Sequence, residues 1–174
     1  MARLIRTLKN VLLVIPVGNF RDEELFDTKK ILESKGIRTT IASTTLSEVT
    51  GRLGGKAKPQ VLIQNTDIKN YDGILFIGGP GSEQYWDDKT AHLLAQKAYK
   101  GNKVVGAICI APVTLSRAGI LKGKKFSVWE SEIDTIVKEG GISSGQPVTV
   151  DGKIVTGNGP AATKAFAEKV AELL

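Results

Sequence analysis

The stretch Val104-Val105-Gly106-Ala107-Ile108-Cys109-Ile110-Ala111-Pro112 joins an apolar, β-branched run to a segment of helical character, with the only cysteine of the chain at the join. A strand–nucleophile–helix elbow reads this way in sequence. Its sharp turn pushes one side chain out at the carboxyl end of a strand, beside the positive end of a helix. A thiol so placed is expected to be biased toward thiolate, the reactive form. The competing reading is plain burial, because free cysteine is among the most buried residue types. The rest of the chain decides between the two.

Upstream, Asn10 to Val17 reads as a continuous apolar strand of the kind buried on both faces of a parallel sheet. Asp22 to Ser34 carries apolar residues at helical spacing and closes at Gly36, and Ile37 to Ser43 predicts a second strand. Thr44 to Gln64, with Gly51, Gly54 and Gly55, predicts a hairpin excursion. A third buried strand, Asp72 to Ile77, ends in Gly78-Gly79, and Asp87 to Lys100 is an amphipathic helix.

Downstream of the elbow, Ile110 to Ala118 predicts a helix, Lys125 to Trp129 a strand and Ser131 to Glu139 a helix. A hairpin turns at Asp151-Gly152, and Pro160 opens the final helix. Strands alternating with helices imply an α/β fold, a mostly parallel central sheet flanked by helices on both faces. Ligands of such sheets bind outside the carboxyl ends of the strands. The Val17–Asp22 loop, the Gly78-Gly79 loop and Cys109 all fall on that rim.

At 174 residues the chain suits one domain, 1–174, and 41% apolar with 24% charged residues is ordinary for a globular protein. The net charge of +6 is spread among acids along the chain, and the few aromatic residues are not interleaved with the basic ones, so a nucleic-acid partner is not expected. No apolar run approaches the roughly 20 residues of a membrane span, and no membrane partner is expected. Met1 to Arg6 faintly resembles the start of a signal peptide, but Val11 to Val17 contains Pro16 and leads into Arg21-Asp22-Glu23-Glu24 without a small-residue cleavage site, so it reads as a core strand. A lone cysteine cannot form an intrachain disulfide, and a cytoplasmic setting is the expectation.

A cysteine nucleophile needs an oxyanion site and a proton shuttle. The backbone N–H of Ile110 and one from Gly78-Gly79 are candidates for the first. The single histidine, His92, lies inside a helix several ångströms from the rim (about 1.5 Å of rise per residue), which makes a Cys–His dyad within the chain improbable. The carboxylates Asp22, Glu23 and Glu24 remain. A glutamate held against the thiol would be desolvated, with its pKa raised, and could move protons in place of histidine. No metal and no other cofactor is called for.

Four segments in order, Asn19-Phe20-Arg21-Asp22-Glu23-Glu24-Leu25, Leu75-Phe76-Ile77-Gly78-Gly79-Pro80-Gly81, Ala107-Ile108-Cys109-Ile110-Ala111-Pro112 and Val155-Thr156-Gly157-Asn158-Gly159-Pro160, resemble the ThiJ/PfpI superfamily of deglycase-like and intracellular protease-like proteins. The resemblance implies a flavodoxin-like three-layer sandwich. It puts the nucleophile on Cys109, the glutamate near the sulfur on Glu24, and the oxyanion amides on Gly79 and Ile110. Gly78, Asp22, Trp129 and Pro160 are expected around the pocket. The resemblance also implies a homodimer or higher homo-oligomer and a small-molecule substrate.

Two histidines of the superfamily are missing. Ile110 stands where the protease-like branch has histidine after the cysteine. Trp129 stands where the deglycase-like branch has one in the next strand, and Arg21 replaces an acid common in the protease-like branch. Peptide hydrolysis needs a strong proton donor for the leaving amine, so a cysteine hydrolase lacking its histidine is disfavoured. Glyoxalase- or deglycase-like chemistry on small reactive carbonyls is the leading expectation. The alternatives are a redox-sensing or stress-protective protein working through oxidation of Cys109 without turnover, and a structural role with a vestigial cysteine.

Overall fold

Along β1 (Asn10–Val14) the side chains alternate between two apolar clusters. Val11 and Leu13 pack on one side and Leu12 and Val14 on the other, all with 1% or less exposure. A strand buried on both faces must sit between helical layers, and the rest of the fold follows from that requirement. The computed structural model describes residues 8–174; the signal-like start Met1 to Arg6 lies outside them.

The chain continues through α1 (Asp22–Ser34), β2 (Arg38–Ser43), the hairpin β3 (Val49–Thr50) and β4 (Lys56–Ala57), then β5 (Val61–Leu62) and β6 (Gly73–Phe76). It proceeds through α2 (Lys89–Lys100), β7 (Val104–Ile108), α3 (Pro112–Arg117), β8 (Lys125–Phe126) and α4 (Ile133–Lys138). β9 (Ile142–Ser143), β10 (Val148–Asp151), β11 (Ile154–Gly157) and α5 (Thr163–Leu173) complete it. The central sheet has the order β10-β11-β7-β6-β1-β2-β5, parallel except for β10. Leu25, Leu32, Phe166 and Val170 of α1 and α5 cover one face; Leu94, Ala95, Val113 and Leu115 of α2 and α3 cover the other. This is the flavodoxin-like three-layer sandwich.

Val14, Phe76, Ala107 and Thr156 are paired in register across β1, β6, β7 and β11. The four carboxyl ends therefore stop at one level, which brings the loops after them to a common rim. Two expected elements differ. The Lys125–Trp129 strand stops at Phe126 and pairs only with β9, outside the central sheet. Beyond it, the Ser127 N–H donates to the Thr156 hydroxyl (2.9 Å) and the Trp129 N–H to the Cys109 carbonyl (2.8 Å), so no ladder continues. The Thr44–Gln64 excursion contains the expected hairpin, but its end, β5, joins the edge of the central sheet.

Asp22 corrects another expectation. It is buried, yet it turns away from the pocket and grips the β3–β4 hairpin. Oδ2 accepts from the Leu53 N–H and Oδ1 from the Gly55 N–H, each at 2.7 Å. Asp22→Ala removes the buried charged acceptor of both bonds and is expected to lower the unfolding free energy by about 1–3 kcal/mol. Urea denaturation measures this, and an unchanged midpoint would show that the clamp contributes nothing.

Candidate active site

Cys109 follows β7 directly and adopts φ +64°, a left-handed conformation costing a non-glycine residue on the order of 1–3 kcal/mol. Its N–H donates to the Gly157 carbonyl (3.0 Å), its carbonyl accepts from Trp129, and the Ala111 N–H closes the turn onto the Ile108 carbonyl (3.1 Å). This is the elbow geometry that the alternation of strand, cysteine and helix implied.

The glycine pair lies against it. A Cβ added to Gly78 would fall 2.4 Å from the Cys109 Cβ and 2.5 Å from Glu24 Oε1, so this approach admits only glycine. Gly79, at φ +102°, turns the chain away from the sheet, and the Gly78 carbonyl accepts from the Arg21 N–H at 2.8 Å. That bond fastens the glycine loop to the start of α1. One turn along α1, Glu24 is thereby set beside the sulfur.

Glu24 has no exposed surface. Its Oε1 accepts from the Gly78 N–H at 3.0 Å. Its Oε2 is buried with no hydrogen-bond partner among the described residues, and the Cys109 thiol lies close enough to the carboxyl to influence its ionisation. That contact falls short of full hydrogen-bond geometry and is the least of the influences on the carboxyl. Burial pushes the carboxyl up to about 8, opposed by the Gly78 N–H and Arg21. Glu24 is therefore protonated at neutral pH. Because Oε1 already accepts an amide proton, the acid proton belongs on Oε2.

The thiolate expectation is corrected. Burial first, and then the Glu24 carboxylate, push the Cys109 thiol up to about 12, while the Gly79 and Ile110 N–H groups and Arg21 favour the anion. A helix of six residues does not offset that desolvation. The second cause is absent as long as Glu24 keeps its proton, so the two groups titrate as one system.

A cavity of about 390 Å³ opens over the sulfur. Of the residues expected there, Cys109, Gly79, Ile110, Trp129 and Pro160 line it, whereas Gly78 lies beneath, holding Glu24, and Asp22 serves the hairpin. Trp86 is a wall, its Nε1 donating to the Ile110 carbonyl at 3.2 Å, while the adjacent Tyr85 is buried and donates to the Ile15 carbonyl at 2.7 Å. His92 lies outside the cavity, with Nε2 2.7 Å from the Trp86 carbonyl. Arg52, Glu83, Ser131 and Glu132 also line the cavity and were not expected. Their loops reach the rim only through tertiary contacts that no local pattern encodes. No group of three or more candidate metal ligands exists among the described residues, and no helix there is long and apolar enough to cross a membrane.

The Glu24 proton links the site to stability. The folded state holds it up to about pH 8, against an ordinary value of 4.5. Between those values the folded chain carries a proton that the unfolded chain lacks, so stability falls as pH rises. The contribution is complete below the lower value and is lost as pH passes the higher one. The thermal midpoint of wild type relative to Glu24→Gln is expected to be higher near about pH 5 than near about pH 9. A pH-independent difference would contradict a buried neutral Glu24.

A sequence model of the DJ-1/PfpI family matches residues 9–173. An uncharacterized protein of Methanocaldococcus jannaschii is 40% identical over 163 residues, 92% of this chain and 80% of its own. The deglycase PfpI of Pyrococcus furiosus is 27% identical over 163 residues, 94% of this chain and 98% of its own. The crystal structure of a ThiJ/PfpI domain protein from Brachyspira murdochii superposes with a TM-score of 0.93 at 32% identity, over 96% of each chain. With the fold and nearly the whole length in common, the chain belongs to the DJ-1/PfpI family.

Proposed function

We propose that the protein is a cysteine-dependent enzyme acting on small reactive carbonyls, of glyoxalase or deglycase type. The observation that carries this reading is the buried carboxyl of Glu24, protonated at neutral pH, beside the Cys109 sulfur and under a cavity sized for a small molecule. The similarity to a protein named deglycase supports it.

In the proposed step the Cys109 sulfur, as thiolate, adds to the carbonyl carbon. The S–C bond forms, the C=O π bond opens, and Glu24 gives its proton to the resulting alkoxide. The product is a hemithioacetal, and Glu24 is left as a carboxylate able to take a proton from the neighbouring carbon. The N–H groups of Gly79 and Ile110 stabilise negative charge as it moves from sulfur to oxygen. One proton shared by the pair is enough, and no imidazole is required. The pair must first lose one proton, so turnover is expected to rise with pH through about 8.

Methylglyoxal consumption tests the reading. Cys109→Ala is expected to abolish it, and Glu24→Gln to slow it by about a hundredfold or more; equal rates in wild type and Cys109→Ala would sink the proposal. The unpartnered Oε2 also supports a second reading, in which Glu24 donates to an oxidised Cys109. Intact mass after mild peroxide decides that one: no added oxygen on Cys109 counts against it.

A further inference from the structure

The chemistry at Cys109 and Glu24 leaves two cations in the cavity unused. Arg21 and Arg52 both line it. They share one wall, because the Arg52 N–H donates to the carbonyl of Phe20, the residue before Arg21, at 2.9 Å. The hairpin carrying Arg52 is held there by both oxygens of the buried Asp22. A buried carboxylate spent on fixing an exposed loop tip makes the position of that tip specific.

Neither guanidinium is fully engaged. Arg21 donates Nε to Glu23 Oε2 (2.8 Å) and Nη2 to Glu23 Oε1 (3.1 Å), which leaves Nη1 without a partner among the described residues. Arg52 makes no ion pair within 4.0 Å among them. The acids Glu83 and Glu132 line the cavity from other segments, the turn after β6 and the turn before α4. Among the charges lining the cavity, that of Arg21 bears on the sulfur most. While Glu24 is neutral, the lining charge that bears on the sulfur end of the cavity is the Arg21 cation, itself paired with Glu23.

We propose that Arg21 and Arg52 select electrophiles carrying a carboxylate beside the carbon that meets Cys109, small 2-oxo acids being the class. The inference rests on the carbonyl reading for its chemistry, but the charge selection is tested by binding alone. A planar guanidinium suits a carboxylate through paired N–H donors. With the carboxylate on this wall, the adjacent carbonyl carbon lies toward the sulfur and its oxygen toward the Gly79 and Ile110 amides.

The two tryptophans of the chain, Trp86 and Trp129, both line the cavity, so intrinsic fluorescence reports its occupancy. Pyruvate and pyruvamide have the same skeleton and differ in charge. Wild type is expected to bind pyruvate at least about tenfold tighter than pyruvamide, the preference shrinking at high salt. Arg52→Gln, an exposed substitution with little risk to folding, should reduce the preference several-fold. Arg21→Gln combined with Arg52→Gln should abolish it, leaving pyruvamide affinity unchanged. Equal affinities in wild type, no binding of either compound, or a preference surviving in the double variant would overturn the proposal. A wild type that prefers pyruvate yet consumes no aldehyde retires the carbonyl reading and keeps the selectivity.

Discussion

A carboxyl group with no exposed surface and one amide partner cannot hold its charge cheaply, and the site is organised around that fact. Glu24 takes a single N–H from Gly78 on Oε1, too little to offset desolvation, and so keeps a proton on Oε2. The same burial keeps the neighbouring thiol protonated. A carboxyl that would ionise in neutral water and a thiol that would not are thus held as one reservoir of protons. A second carboxylate partner, or an open path to solvent, would dissolve the coupling. The close approach of Gly78, where a methyl group would collide with both Glu24 and Cys109, closes the path from the sheet side.

The arrangement depends on the level at which the strands stop. Because β1, β6, β7 and β11 end in register, the α1 loop, the glycine loop and the elbow meet, and main-chain bonds fasten them. The bond from Arg21 N–H to the Gly78 carbonyl joins the first two, and that from Cys109 N–H to Gly157 joins the third to β11. These bonds also hold Cys109 at positive φ. A sheet slipped by one residue would invert the side chains of a strand and separate sulfur from carboxyl.

Much of this was legible in the sequence, for physical reasons that differ by residue. The buried strands announce themselves because burial on both faces demands unbroken apolar runs, as in Val11 to Ile15. The α1 limits, Asp22 and Ser34, match the helical spacing. Cys109 and Gly79 were legible because an elbow and a glycine pair are local patterns. Arg52, Glu83 and Glu132 were not, since each reaches the cavity through a loop whose course is set by distant partners. Asp22 was misplaced for the same reason: its first-turn position is local, but its direction is decided by the amides of Leu53 and Gly55. The ionisation of Cys109 was misread because the elbow motif carries the helix dipole but not the depth of burial.

The missing histidines and the arginines of the cavity wall belong to one electrostatic arrangement. An imidazole at residue 110 or 129 would supply a proton carrier that itself gains positive charge. Ile110 and Trp129 supply none, so proton movement in the proposed reaction is confined to Cys109 and Glu24, whose protonated state is neutral. At rest the neutral pair adds no net charge to the inner cavity, and the reacting pair, one proton short, carries a single negative charge. The lining cation that bears most on the sulfur is Arg21, which stays protonated at any physiological pH. In the proposed reaction and the proposed selectivity, the proton carrier and the ligand-orienting charge are separate groups: burial would set the first, and the wall of Arg21 and Arg52 the second. An acid at residue 21 would place a carboxylate beside Glu24 and the sulfur, raising both toward still weaker acidity and repelling an anionic ligand. Arginine at that position has the opposite effect, favouring the anionic forms of both groups.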